Sequence, residues 1–209
     1  MLGNSTQRTY LSISRGKIQH RDKEGNVEQY DTIEGVLTAI RRNTREICGK
    51  ETEVLTFDLT DGNDNYGLGC IADSGVARSI IRSLYGVQDF NGVRIKIITR
   101  LRLANDQEYT NAFVYADGQQ MKWAVDLPQR EEFQLPTGEK TYSSKKRDDK
   151  FWECVDEINS RISSAQGGTA PAEEAYVEDQ NDELSPEEDI PADDYSGSVD
   201  SMFNEPVSY

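Results

Sequence analysis

From Ile33 to Val125 the apolar residues recur with a period of two, and one stretch alone breaks that rhythm for the 3.6-residue period of a helix. The clearest alternation is "TEVLTFDLTD", with Leu55, Phe57 and Leu59 on one face and Val54, Thr56, Asp58 and Thr60 on the other. The segment "VRIKIITRLRL" repeats it: Val93, Ile95, Ile97, Leu101 and Leu103 alternate with Arg94, Lys96, Ile98, Arg100 and Arg102. The break falls at "SGVARSIIRSLYG". There Val76, Ala77, Ile80, Ile81, Leu84 and Tyr85 take helical spacing, Asp73 or Ser74 serves as N-cap, and Gly86 stops the helix. Such a chain is mainly β with one helix set between strands.

The rest of the order sharpens this. A strand around Tyr10–Ser14, a turn at Arg15-Gly16 and a strand from Lys17 make residues 1–29 a hairpin extension. "DTIEGVLTAIRRN" supplies Ile33, Val36, Leu37 and Ile40 as the next strand, with Gly35 marking a bulge or bend. "DGND" closes a hairpin into "NYGLGCIAD", and after the helix Asp117-Gly118 turns "EYTNAFVYA" into "QQMKWAVD". Three strands, a helix and two strands is the chain order of a five-stranded Greek-key barrel, the OB-fold. Residues 30–127 are therefore expected to form an OB-fold-like domain, its helix plugging one end between strands 3 and 4. Gly35, Gly67 and Gly69 fall where a small barrel coils tightly. Residues 128–147 read as a linker with Pro128 and Pro136, and 148–165 as an amphipathic helix carrying Phe151 or Trp152, Val155, Ile158 and Ile162 on one side. Residues 166–209 read as a disordered acidic tail.

Charge divides the chain in two. Of its 38 acids 13 lie after Ala165, where no base occurs, leaving 25 acids against 23 bases in the rest. The tail thus carries 13 of the 15 net negative charges, and the near-neutral body is left free to bind a polyanion. No run of about 18 apolar residues predicts a membrane span. The first ten residues lack a secretory apolar stretch, and the odd, scattered Cys48, Cys70 and Cys154 suit a reducing cytoplasm.

Little here suggests catalysis. His20 stands alone in a polar hairpin, no CxxC or Gly-rich phosphate loop occurs, and turn chemistry accounts for Asp58, Asp61 and Asp64. No enzyme activity, metal or cofactor is expected. The cationic strand is more telling: Arg94, Lys96, Arg100 and Arg102 share one face, and no acid lies between Val93 and Leu103. Arg41, Arg42 and Arg45 follow the first barrel strand, in the loop with which an OB-fold binds oligonucleotides. Tyr66, Tyr109, Tyr115 and Trp123 are stacking candidates. Phosphates met by these cations and bases stacked on these rings are what an unpaired polynucleotide requires. Phe57 and Phe113 read as core. Tyr109, Asn111, Phe113 and Tyr115 share a strand face, so either that face is core or a bulge re-aims some of them. Tryptophan quenching by poly-dT is the expected signature of binding.

An OB-like body with a basic fourth strand and an acidic tail resembles the single-stranded DNA-binding proteins of bacteria and their phages. In bacterial members an acidic stretch with a hydrophobic tip recruits replication and repair enzymes. "PEEDIPADDY", with Asp189, Ile190 and Pro191, resembles that tip but is internal, and "MFNEPVSY", with Phe203 and Tyr209, is closer to the aromatic-ended phage tails. The resemblance implies a sequence-nonspecific single-stranded DNA-binding protein for replication or recombination, phage-encoded and acting in the host cytoplasm. Its tail would bind partner proteins and compete with DNA for the groove. The helix over 148–165 suits either folding back on the barrel or pairing in a homo-oligomer. Two alternatives stay open: a β-barrel interaction or virion module without nucleic-acid binding, and an RNA-binding OB protein.

Overall fold

The computed structural model describes residues 8–104 and 107–167, which form eleven strands and two helices. In chain order these are β1 (Arg8–Ser14), β2 (Lys17–Arg21), β3 (Val27–Tyr30), β4 (Thr32–Ile47), β5 (Lys50–Asp61), β6 (Asp64–Ile71), α1 (Gly75–Leu84), β7 (Arg94–Ala104), β8 (Gln107–Ala116), β9 (Gln119–Met121), β10 (Glu131–Gln134), β11 (Lys140–Ser143) and α2 (Lys145–Ala165). The expected run of three strands, helix and two strands is present as β4 to β8 with α1 between β6 and β7.

The barrel is not. One nine-stranded sheet runs β3-β2-β1-β6-β5-β4-β7-β8-β9, and among the described residues its ladder does not close. It curls instead. β3 and β4 stand first and sixth in the ladder, five steps of about 4.8 Å apart if flat. Yet Asp31 alone separates them in the chain, a span of about 7 Å, so the sheet must coil back on itself. The N-terminal hairpin belongs to this sheet and is no appendage. β1 runs parallel to β6, Arg8 to Ser12 against Asn65 to Gly69, and Leu11 and Ile18 enter the core. Its turn, Arg15-Gly16, has φ of 45° and 74°, the double positive φ that matches the twist of paired strands.

Ser74 caps α1 as the sequence suggests, its hydroxyl accepting from the Ala77 N–H at 3.1 Å. Val76, Ala77, Ile80, Ile81 and Leu84 are buried on the inner side of the sheet, and Ser79 donates to the Ala112 carbonyl of β8 at 3.0 Å. α2 adds Phe151, Cys154, Val155, Ile158 and Ile162 to the same core. Each large side chain sunk there stabilises the fold by about 1.5–3 kcal/mol. α2 also closes an edge. β7 pairs with β4 only from Thr32 to Val36, so the rest of that β4 edge lacks a strand partner among the described residues. Asn159 fills the gap: its Oδ1 accepts from Ile40 N–H at 2.9 Å and its Nδ2 donates to the Ile40 carbonyl at 2.8 Å. The stretch expected to be a linker contains the β10–β11 hairpin, a separate two-stranded sheet.

Candidate nucleic-acid interface

β7 is two-faced, as its alternation requires. Ile95, Ile97 and Thr99 are at most 1% exposed, while Arg94, Lys96, Ile98, Arg100 and Arg102 point to the side away from the helices. Pairing with β8 sets Lys96 opposite Tyr115, Ile98 opposite Phe113, Arg100 opposite Asn111 and Arg102 opposite Tyr109. Directly opposed residues of an antiparallel pair share a face. The outward surface of β7 and β8 is therefore a row of cations beside a row of rings and one amide. This decides the open question about β8: its aromatic face is the outer one, with no bulge against β7, and Thr110, Ala112 and Val114 are buried instead. Phe113, expected in the core, is half-buried on this outer face. Leu101 and Leu103 keep the inward phase but are 45% and 70% exposed, because the β7–β8 hairpin outruns the core.

Carboxylates temper the charge at one end. Arg94 donates to Glu34 at 2.9 Å and to Asp61 at 3.1 Å, and Lys96 lies 3.8 Å from Glu34. Hydrogen bonds to Glu34 and then Asp61 hold the Arg94 proton more firmly than usual. All these groups stay exposed. Arg100 is exposed and has no carboxylate within ion-pair distance among the described residues.

The arginines of β4 are divided by a register shift. They lie in the strand, which runs on to Ile47, and not in a loop. A bulge between Leu37 and Ala39 inverts the alternation, so that Ile40 and Arg42 face inward and Arg41, Asn43 and Arg45 outward. Arg42 therefore leaves the candidate surface: its guanidinium stacks 3.9 Å from the Trp152 ring on α2 and pairs with Glu53. Arg41 instead meets Asp58 of β5 at 2.6 Å. Asp58 is 6% exposed and also binds Arg8 of β1, whose guanidinium lies 5.1 Å from the Tyr10 ring. Opposite them β6 offers Gly67 and Gly69, and Tyr10, Ser12, Arg45, Thr56 and both glycines line a small pocket. Sequence reasoning missed Arg8, Tyr10 and this use of Asp58. The glycine alternation in "YGLGC" was the one local hint of a face stripped of side chains.

Two stacking candidates fall elsewhere. Tyr66 pairs with Leu59 and Thr9 in the inward phase and packs against the core. Trp123 lies past β9 beside α1, where Arg82 stacks 3.9 Å from its ring and its Nε1 donates to Ser79 at 3.3 Å. Since Trp152 is on α2, both tryptophans report on the helix side, and their quenching is a poor probe of the cationic face. Asp189, Ile190, Pro191, Phe203 and Tyr209 lie outside the described residues. Among the described residues no helix is long and apolar enough to cross a membrane. No protein-family model, curated protein or solved structure matches this chain.

Proposed function

We propose that this chain is a sequence-nonspecific single-stranded DNA-binding protein serving replication or recombination. The observation that carries the reading is the β7–β8 register, which sets Lys96, Arg100 and Arg102 beside Tyr115, Asn111 and Tyr109 on a surface that neither helix covers. Cations spaced along a strand suit a phosphate backbone, and rings on its neighbour suit unstacked bases. Duplex DNA would hide its base faces from such rings. The strand order adds support for an OB-like reading. If β4 to β8 are its five strands, the second and third are β5 and β6, whose outer side carries Gly67 and Gly69 with Arg41 of β4 on Asp58. The acidic tail, with Asp189, Ile190, Pro191, Phe203 and Tyr209, would recruit replication or recombination proteins and compete for the same cations at high effective concentration.

The test is fluorescence anisotropy with labelled oligo-dT, duplex DNA and oligo-U at several salt concentrations. Oligo-dT should bind over duplex, and log affinity should fall against log salt with a slope of roughly −3 if four or five phosphates are met. Deleting residues 168–209 should tighten binding. No binding at low salt ends the reading, and preference for oligo-U transfers the same face to RNA.

A further inference from the structure

We infer that three arginines at the N-terminal ends of α1 and α2, with the β10–β11 hairpin beside them, form a docking seat for this chain's own acidic segment, residues 168–209. The seat lies on the helix side, apart from the cations of β7, and does not depend on nucleic-acid binding. Asp73, just ahead of α1, ties the two helix starts together: its Oδ1 accepts from Arg78 and, at 2.9 Å, from Arg147 of α2. Arg147 is 6% exposed, and its Nε also lies 3.4 Å from Asp148. Arg130 adds a third guanidinium, half-buried and paired with no carboxylate among the described residues. Its neighbour Glu131 is bound to Lys146, which sets Arg130 beside the first turn of α2. Burial, and then the charges of Arg147 and Arg130, hold the Arg78 proton less firmly than usual, against the pull of Asp73. Lys145 and Lys146 are already matched by Asp149 and Glu131. Three guanidiniums thus face two carboxylates, Asp73 and Asp148, and an arriving anion would relieve their repulsion.

The hairpin supplies what a purely charged seat lacks. Phe133, Leu135 and Tyr142 are 46%, 42% and 55% exposed. Phe133 stands two residues from Glu131 on β10, so both lie on the side of the hairpin that reaches α2. A ligand for this surface is anionic and carries scattered apolar side chains. Residues 168–209 hold 13 acids and no base, with Tyr176, Leu184, Ile190, Tyr195, Phe203 and Tyr209 spaced among them. The segment begins past the far end of α2, whose 21 residues span about 30 Å. A loose chain of that length would have a root-mean-square reach of about 32–39 Å. Span and reach match, the condition under which a tether raises effective concentration most. Seated there, the segment leaves the β7–β8 face open to other anions.

The test is zero-length carbodiimide crosslinking of the full chain, read by mass spectrometry. Lys145 and Lys146 flank the seat and are 79% and 68% exposed. Their amines should join carboxylates of residues 168–209 in preference to those of Lys17 and Lys96 on the sheet, and added salt should lower the yield. Arg130→Gln should lower it about twofold, and Arg78→Gln together with Arg130→Gln about fivefold. Phe133→Ser, which leaves the charge alone, should lower it about twofold. The equal-charge control, Arg21→Gln with Lys23→Gln, should leave it unchanged. Should the double arginine variant fail to fold by circular dichroism, Arg130→Gln decides, since that side chain holds no carboxylate. Crosslinks centred on Lys17 or Lys96, or a yield that Arg130→Gln does not lower, overturn the inference. Crosslinks found only between isotopically distinct copies assign the seat to a second copy's segment and overturn it too. Oligo-dT binding is a separate measurement, so its failure removes the functional reading and leaves this seat standing.

Discussion

Replacing Arg100 by Glu tests which surface meets the polynucleotide. Arg100 is exposed, without a carboxylate partner among the described residues, and opposite Asn111 in the ring-bearing row of β8. One phosphate contact to a single strand contributes about 0.7 to the salt slope, which is worth about fivefold in affinity at 0.1 M relative to 1 M salt. A carboxylate in its place also repels the neighbouring phosphate within a Debye length of about 10 Å, bringing the expected loss to roughly ten- to thirtyfold. The control is Lys145→Glu, an equal change of two charge units at the start of α2, where the side chain is 79% exposed. Its effect should stay under about twofold. The assay is anisotropy with labelled oligo-dT at 0.05 and 0.2 M salt, with circular dichroism to show that both variants are folded. If both lose affinity equally, overall charge and not this face governs binding. If neither does, the β7–β8 surface is not the site.

Other consequences follow from the packing. Asn159→Ala strips the hydrogen bonds from both backbone groups of Ile40 and should cost about 2 kcal/mol, lowering the melting temperature by about 4–8 °C; a drop under about 1 °C would show that α2 is not what closes the β4 edge. Thr99 is 1% exposed and its hydroxyl finds no partner among the described residues. Thr99→Val should therefore stabilise the protein by about 1 kcal/mol in a denaturant titration, and destabilisation would mean that the hydroxyl is satisfied. Cys48 is exposed at a hairpin turn, whereas Cys70 and Cys154 are buried, and burial pushes the Cys154 thiol up from its ordinary value. A disulfide reagent should titrate one thiol quickly in the native protein and all three after denaturation; three fast thiols would contradict the core.

What could be read from the chain alone was what depends on near neighbours. The two faces of β7 follow from alternation within eleven residues, and α1 with its Ser74 cap follows from a change of period. The separation of an acidic tail from a near-neutral body is a matter of counting. Other features were settled only by contacts across the fold. Which side of β8 faces outward depends on its pairing with β7 and on α1 packing against Ala112, tens of residues away. The bulge after Leu37, two residues past the glycine that suggested one, turned Arg42 toward α2 and left Arg41 and Arg45 outside. Arg8 and Asp58 lie 50 residues apart and meet because β1 pairs in parallel with β6. Alternation tells which residues share a face; only the partners of each strand decide whether that face is core, helix seat or open surface.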